Sequence, residues 1–373
     1  MVPFEMFLLG PVRRITRRPE RVTQITEDNL VNFHRAALSI LLALAGASIA
    51  SAQNAAPAAT SSQVVIGGHN FIHAVADVQK SSQFYRDAFG LELEREIRPA
   101  AAVPVLQQLA NTPGAKFRAT SVKLPGANFS LEFTEFSDIE RKVGQSNMQD
   151  PGSSMLALIV RDVDATLAKA VKAGAKIVTT GGKILRQGAP DAPNYNRAIF
   201  LRDLDGFLIE MLQLYPQPPS KAPADSAVLG GGIGITVSDV ERTAAFWRQF
   251  GLEVKVGEAA PGNATTMALS ATQNATFRIG NARIPGTDFQ LLLAEFTGIA
   301  RKPYQGRLQD PGTPAVSLAV RDLDAAMQAV KAAGARVVTT GGAPVHMGPT
   351  GGNVFIRDPD GFLVELIQEA TRP

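Results

Sequence analysis

Apolar positions along this chain change period in a fixed order. A short alternating stretch runs into Val-x-Asp, and a segment with helical spacing follows. After Asp77, Phe84, Tyr85 and Phe89 recur at that spacing, and after Asp162 so do Leu167, Ala170, Val171 and Ala175. An aspartate at this junction suits a helix N-cap, because its carboxylate accepts orphan backbone N–H groups at the positive end of the helix dipole. Gly90, Gly174, Gly251 and Gly334 stand where the helices should stop. Extended runs follow each helix, such as FRATSVKL, NFSLEFTEF, KIVTT, RAIFLRD and FLIEMLQ. In NFSLEFTEF, Phe129, Leu131 and Phe133 alternate with Asn128, Ser130 and Glu132.

The unit recurs at 70–88, 155–173, 232–250 and 315–333. A longer repeat contains it: residues 135–182 and 295–342 match without a gap, and RDLDGFLIEML (202–212) matches RDPDGFLVELI (357–367). The copies span 66–214 and 229–369, joined by a Pro-rich linker at 215–228. The expected class is α+β: four βαβββ modules, with helices on one face of curved antiparallel sheets.

The N-terminal region reads differently. AALSILLALAGASIA (36–50) is an apolar run of signal-peptide length, and Ala50-Ser51-Ala52 offers a cleavage site. The expected home is therefore the periplasm or the exterior, after cleavage near Ala52. Residues 53–65 read as a flexible mature N-terminus. Residues 1–30 are Arg-rich without folding periodicity, and read as an extension upstream of a true start at Val31. The alternative is an anchored N-terminal helix.

With 45% apolar and 19% charged residues in 373, the chain can bury two cores. The leader holds six of the basic residues and four of the acidic ones, so much of the net charge of +3 belongs to it. No basic stripe with interleaved aromatics is left in the body, and nucleic acid is not an expected partner. With no cysteine, disulfides, thiolate metal sites and a Cys nucleophile are excluded. No membrane association is expected beyond the signal segment, and the oligomeric state is open.

Taken together, Val-x-Asp entering a helix, FYRDAFGLEL or FWRQFGLEV, DVDATLAKAVKAGAKIV, and RDLDGFLIEML or RDPDGFLVELI resemble the vicinal-oxygen-chelate superfamily, which includes glyoxalases, bleomycin-resistance proteins and extradiol dioxygenases. The resemblance implies paired modules whose sheets curl around a cleft. In metal-using members, a ligand on each first strand lies seven residues before the capping Asp, and another lies on each last strand. Carried onto this chain, the first-strand positions are Asn70, Met155, Gly232 and Ala315. The last-strand positions are Glu132, Glu210, Leu292 and Glu365. Copy one thus keeps Asn70, Glu132 and Glu210, and copy two keeps Glu365 alone. Should modules pair across copies, the set becomes Asn70, Glu132 and Glu365. Either set is an oxygen-donor site for a divalent ion, weak for want of histidine.

Within one cleft, Glu132 facing Glu210 would raise one pKa and provide a base near neutrality. Each could equally pair with an arginine such as Arg118. His73 points to the core if Asn70 faces the cleft, and a bulge at Gly67-Gly68 would bring His69 to the rim. Arg118 and Arg278, with Arg141-Lys142 and Arg301-Lys302, are candidates to hold an anionic substrate or a solvated face. Tyr195 and Arg197 are candidates to gate the cleft, and His346 sits in a Gly/Pro-rich loop. The Gly pairs at 181–182 and 341–342 are turns. The reading is an exported small-molecule protein, with lyase or isomerase chemistry at a carbonyl-bearing substrate. Its rivals are metal-free sequestration of a ligand, and a second copy that only completes the first.

Overall fold

The computed structural model describes residues 63–346 and 351–368. The leader, the signal segment and most of the flexible N-terminal stretch lie outside the described residues. Among the described residues, no helix is long and apolar enough to cross a membrane.

The first module runs through β1 (Val65–Ala74), α1 (Val78–Phe89), α2 (Pro104–Ala110), β2 (Lys116–Lys123) and β3 (Ser130–Ser137). The second has β4 (Ser154–Val160), α3 (Val163–Lys172), β5 (Tyr195–Arg202) and β6 (Leu208–Tyr215). The third has β7 (Val228–Val237), α4 (Val240–Gln249), α5 (Ala264–Ser270), β8 (Thr276–Arg283) and β9 (Gln290–Thr297). The fourth has β10 (Pro314–Val320), α6 (Leu323–Ala332), β11 (Gly352–Arg357) and β12 (Leu363–Gln368). The four aspartates cap as the pattern requires. Asp77, Asp162, Asp239 and Asp322 each accept two backbone N–H groups of the first helical turn. Gly90 ends α1 in the left-handed conformation at φ 69°, where a side chain would be strained.

Modules pair across the copies. One sheet, here sheet A, has the order β11-β12-β10-β1-β3-β2 and joins the fourth module to the first. Sheet B, in the order β8-β9-β7-β4-β6-β5, joins the third to the second. The central contacts are antiparallel: β1 lies on β10 with Asn70 opposite Ser317, and β4 lies on β7 with Ala157 opposite Gly232. The sheets are mixed rather than antiparallel throughout. The first and last strands of every module run parallel, as β1 with β3 and β10 with β12. Parallel neighbours need a long crossover, and the intervening helix and strands supply it.

A continuous apolar core lies on one face of both sheets. It contains Phe71, Tyr85, Phe133, Leu156, Ile209, Trp247, Phe289 and Val364, with residues of α1, α3, α4 and α6. The rings of Phe129 and Phe289, one from each copy, stack at 4.2 Å. The copies also interlock through matching turns: Lys142 N donates to Asp310 at 2.8 Å, and Lys302 N to Asp150 at 2.9 Å. The opposite faces carry separate clusters around Phe355 on sheet A and Phe277 on sheet B. Two short helices absent from the sequence pattern cover them. Thr339 Oγ1 donates to the Leu109 carbonyl at the end of α2, and Thr179 Oγ1 to that of Leu269 in α5.

Candidate functional site

Strand alternation puts Asn70, Glu132, Ser317 and Glu365 on the face of sheet A turned away from the common core; this is site A. Register brings them together: Asn70 lies opposite Ser317, Ser317 lies opposite Glu365, and Glu132 is on the neighbouring strand. Asn70 Nδ2 donates to Glu132 Oε2 at 2.9 Å and Thr134 Oγ1 to Glu132 Oε1 at 3.0 Å. Arg95 reaches the same carboxylate at 3.4 Å. Glu365 accepts from Ser317 Oγ at 2.5 Å and from Asn353 Nδ2 at 2.8 Å. Burial pushes the Glu365 carboxyl up to about 7. The donors Ser317 and Asn353 work against that rise, and the negative charge of Glu132 adds to it. Asn70 Oδ1 is buried without a hydrogen-bond partner.

Site B is the matching place on sheet B, with each polar partner replaced. Gly232 stands where site A has Asn70, Ala157 where it has Ser317, Leu292 where it has Glu132, and Ala198 where it has Asn353. Only the acid persists. Glu210 is 1% exposed, its Oε2 has no partner, and burial alone pushes it up to about 8.

Glu132 and Glu210 therefore do not face each other. They stand on different sheets, because modules pair between copies, and the acid facing Glu132 is Glu365. Polarity sorts by sheet rather than by copy: site A takes two residues from each copy, and of the corresponding site B positions only Glu210 is polar. Met155 lies on the site B face beside Gly234, where a Cβ would come within 3.0 Å of its side chain. Ala157 and Ser317, five residues before the capping Asp, occupy the paired positions that a spacing of seven gave to Met155 and Ala315. Ser317, Asn353, Thr134 and Arg95 were not singled out in the sequence.

Several candidates lie on the core side of the sheets. Arg118 pairs with Glu135 at 2.7 Å, and Glu135 also accepts from Val78 N at the start of α1. Arg197 binds Asp164 in the first turn of α3. Tyr195 stacks on Tyr215 at 4.4 Å with the Arg186 guanidinium over its ring. None of the three is brought to site A or Glu210. Arg278 pairs with Glu241. Register shifts flank His69, which is exposed on β1, and His346 is exposed next to β11.

His73 lies in the core. Its Nε2 is 2.7 Å from Asp203 Oδ2, which also accepts from the Tyr85 hydroxyl at 3.1 Å. Asp203 Oδ1 accepts from the backbone N–H of Asp205 and Phe207. Asp205 is held by Ala76 N and Ser81 Oγ. His73, Asp203 and Asp205 lie close enough to ligate a cation. Every carboxylate oxygen there is already engaged by donors from the chain, so the arrangement is a structural knot. The second copy has Ile235 and Trp247 in place of His73 and Tyr85. There Asp358 Oδ2 and Trp247 Nε1 are both buried without partners.

The chain is thus built of paired βαβββ modules, three of them with an acid on the last strand, Glu132, Glu210 and Glu365. The chain belongs to the Glyoxalase/Bleomycin resistance protein/Dioxygenase superfamily, whose model matches residues 69–211 and 231–366. The structure is similar to glyoxalase I from Zea mays, with a TM-score of 0.52 and 18% identity over 81% of this chain and 92% of that one. It is also similar to a candidate dioxygenase from Bacillus subtilis, with a TM-score of 0.50 and 14% identity over 83% of this chain and 87% of that one. No curated protein matches the chain in sequence.

Proposed function

We propose that this chain is an exported protein that binds a small carbonyl-bearing molecule at site A, where Glu365 moves a proton on and off the carbon next to the carbonyl. Export rests on the sequence of residues 36–52. The chemistry rests on one observation: Glu132 and Glu365, from different copies, share one site, and burial with the neighbouring charge holds Glu365 near neutrality. A carboxyl titrating there serves as base and acid in turn, as isomerase and lyase steps require.

The donors also fit a hard divalent cation. Asn70 Oδ1 lacks a partner, and Glu132, Glu365 and Ser317 complete an all-oxygen set, which suits magnesium or manganese better than zinc. Such an ion, when bound, polarises a carbonyl oxygen. Independently of it, Asn70 and Thr134 fix the Glu132 carboxylate, and Ser317 and Asn353 orient Glu365.

Exchange of the protons next to the carbonyl, followed by NMR in deuterated water over a panel of hydroxyketones, tests the reading. Wild type is expected to exchange faster as pH rises through about 7. Glu365→Gln should slow exchange by about 10²-fold or more. Calorimetric titration with manganese should show binding that Glu132→Gln weakens. A Glu365→Gln variant that exchanges at the wild-type rate would sink the proton-transfer role.

A further inference from the structure

Glu365, with its neighbours Asn70 and Ser317, is 6%, 8% and 0% exposed in turn. A carbonyl-bearing molecule reaches it only if part of the chain moves. Strand alternation continues the same face of sheet A through Ile72, Ala315, Phe355 and Leu363, each two residues from a polar residue of the site. These four form an apolar cluster with Leu109 and Ala110 of α2, against which Val105 and Leu106 also pack. α2 thus roofs the face on which site A lies. Each copy has such a roof, but the two are held differently. α5, over sheet B, begins at Asn263, whose side chain accepts from Thr266 N, and it buries Thr266, Leu269 and Ser270. The chain leading to it pairs with β8 at Lys255–Val256 and Ala260–Pro261. α2 has no side-chain cap at Val103 and buries only Leu109 and Ala110. The chain before it meets β2 at isolated bridges, Leu93 with Val122 and Ala101 with Phe117. An uncapped first turn leaves backbone N–H groups unpaired, and an element that buries few side chains opens locally at low cost.

We propose that α2 is a lid over site A, hinged in the mostly exposed stretch 92–103 before it, which lifts off sheet A to admit the substrate. Its latch is the Thr339–Thr340 turn of the fourth module. Thr339 Oγ1 donates to the Leu109 carbonyl at 3.0 Å, and Thr340 Oγ1 to Asn111 Oδ1 at 3.0 Å. The first bond has a counterpart in Thr179 with Leu269. The second has none, because Ala271 stands at the end of α5. The Thr340–Asn111 bond is exposed, so water replaces it when it breaks. The looser roof covers the polar site and the tighter one the apolar cluster, which is the distribution that access to site A requires. A lid of this kind admits a ligand and then shuts water away from the acids. This rests on the reading of site A as the binding site, whereas the lifting itself is a property of the free chain and is measured without substrate.

The chain has no cysteine, so a single introduced thiol reports alone. Alkylation of the full chain by iodoacetamide, followed by mass spectrometry, compares Ala110→Cys on α2, Ser270→Cys at the matching place on α5 and Ala88→Cys in the common core, all at buried positions. The Ala110→Cys thiol should react about tenfold or more faster than the other two. Adding Thr340→Ala should speed that reaction about threefold or more and leave the Ser270→Cys thiol unchanged. Native-state hydrogen exchange of the wild type reads the same motion without a variant. Protection of amides 107–111 should lie about tenfold or more below that of amides 267–271. Equal reactivity on the two helices, no response to Thr340→Ala, or equal protection overturns the lid. The protection comparison decides even if a cysteine variant fails to fold. If α2 lifts while no hydroxyketone exchanges its protons, the lid stands and the chemical reading of site A falls. Proton exchange on a chain whose α2 does not lift overturns the lid alone.

Discussion

Expressed alone, residues 63–227 are expected to yield no folded monomer. The cut between copies does not fall between two independent bodies. It separates β1 from β10 at the centre of sheet A and β4 from β7 at the centre of sheet B. Each half would bare a central strand edge, with its N–H and C=O groups unpaired. The strands concerned are among the most apolar in the chain, with Phe71, Leu156 and Leu158 buried in a core to which the other copy contributes Ile233, Phe289 and Val316. The interlocking turns would go as well, including Tyr304 N to the Pro151 carbonyl at 2.7 Å and Gly152 N to that of Thr236 at 2.8 Å. Size-exclusion chromatography with circular dichroism checks this. The half-chain should aggregate, or assemble as a dimer in which the first module pairs with the second module of another molecule. A folded, stable monomer would contradict the dependence of each sheet on both copies.

The next largest effect is expected at Asp203. Asp203→Ala strips a fully buried His73 of its partner, frees the Tyr85 hydroxyl and removes the acceptor of two backbone N–H groups. Breaking a buried pair from one side costs about 3–5 kcal/mol, which denaturant titration at pH 6 would measure. The loss should depend on pH. Burial works against the His73 cation, but Asp203, with Asp205 behind it, outweighs burial and raises the pKa. A raised pKa means stabilisation fully present below the unfolded value of about 6.5. It is lost as pH climbs through the folded value. The gap between wild type and Asp203→Ala should therefore narrow on the alkaline side. A gap that widens there would show that the pair is not charged in the folded chain. A His73→Ile/Tyr85→Trp variant copies the second repeat: the two backbone N–H groups keep their acceptor in Asp203 Oδ1, while Oδ2 loses both its donors, as at Asp358 Oδ2.

The helices and main strands were legible because each carries its own local signal. Asp77, Asp162, Asp239 and Asp322 cap, glycines terminate, and alternation marks strands such as Ser130–Ser137. The pairing of modules was not legible, since it depends on which strand edge meets which, and copies this alike offer nearly equivalent edges. That ambiguity is what set Glu132 against Glu210. The position of Ser317 was missed for a related reason. Residues five and seven before a capping Asp share a face, and only the register of β1 on β10, with its irregularities at Val65/Gly67 and Gly68/Asn70, decides which lies opposite Asn70. The α2 helix announces itself faintly, by Pro104 in its first turn. The knot at His73 was half legible: alternation sent the imidazole inward, but nothing in RDLDGFLIEML tied its two aspartates to β1.

The two sheets also differ in when they can form. In sheet B the central pairing joins Val160 to Val228 and Ser154 to Ile235, across little more than the linker and one module. In sheet A it joins Val65 to Val320 and His73 to Pro314, nearly the whole described chain apart. Closing the longer loop costs more chain entropy before any contact repays it, and non-local pairings form slowly. Sheet B is thus expected to assemble first, with β1 waiting for a partner made almost last. In pulsed hydrogen exchange during refolding, amides of β4 and β7 should gain protection ahead of those of β1 and β10; simultaneous protection would rule this order out. Site A, with its two acids from the first and fourth modules, then exists only in the finished molecule, so its chemistry cannot begin on a partly folded chain.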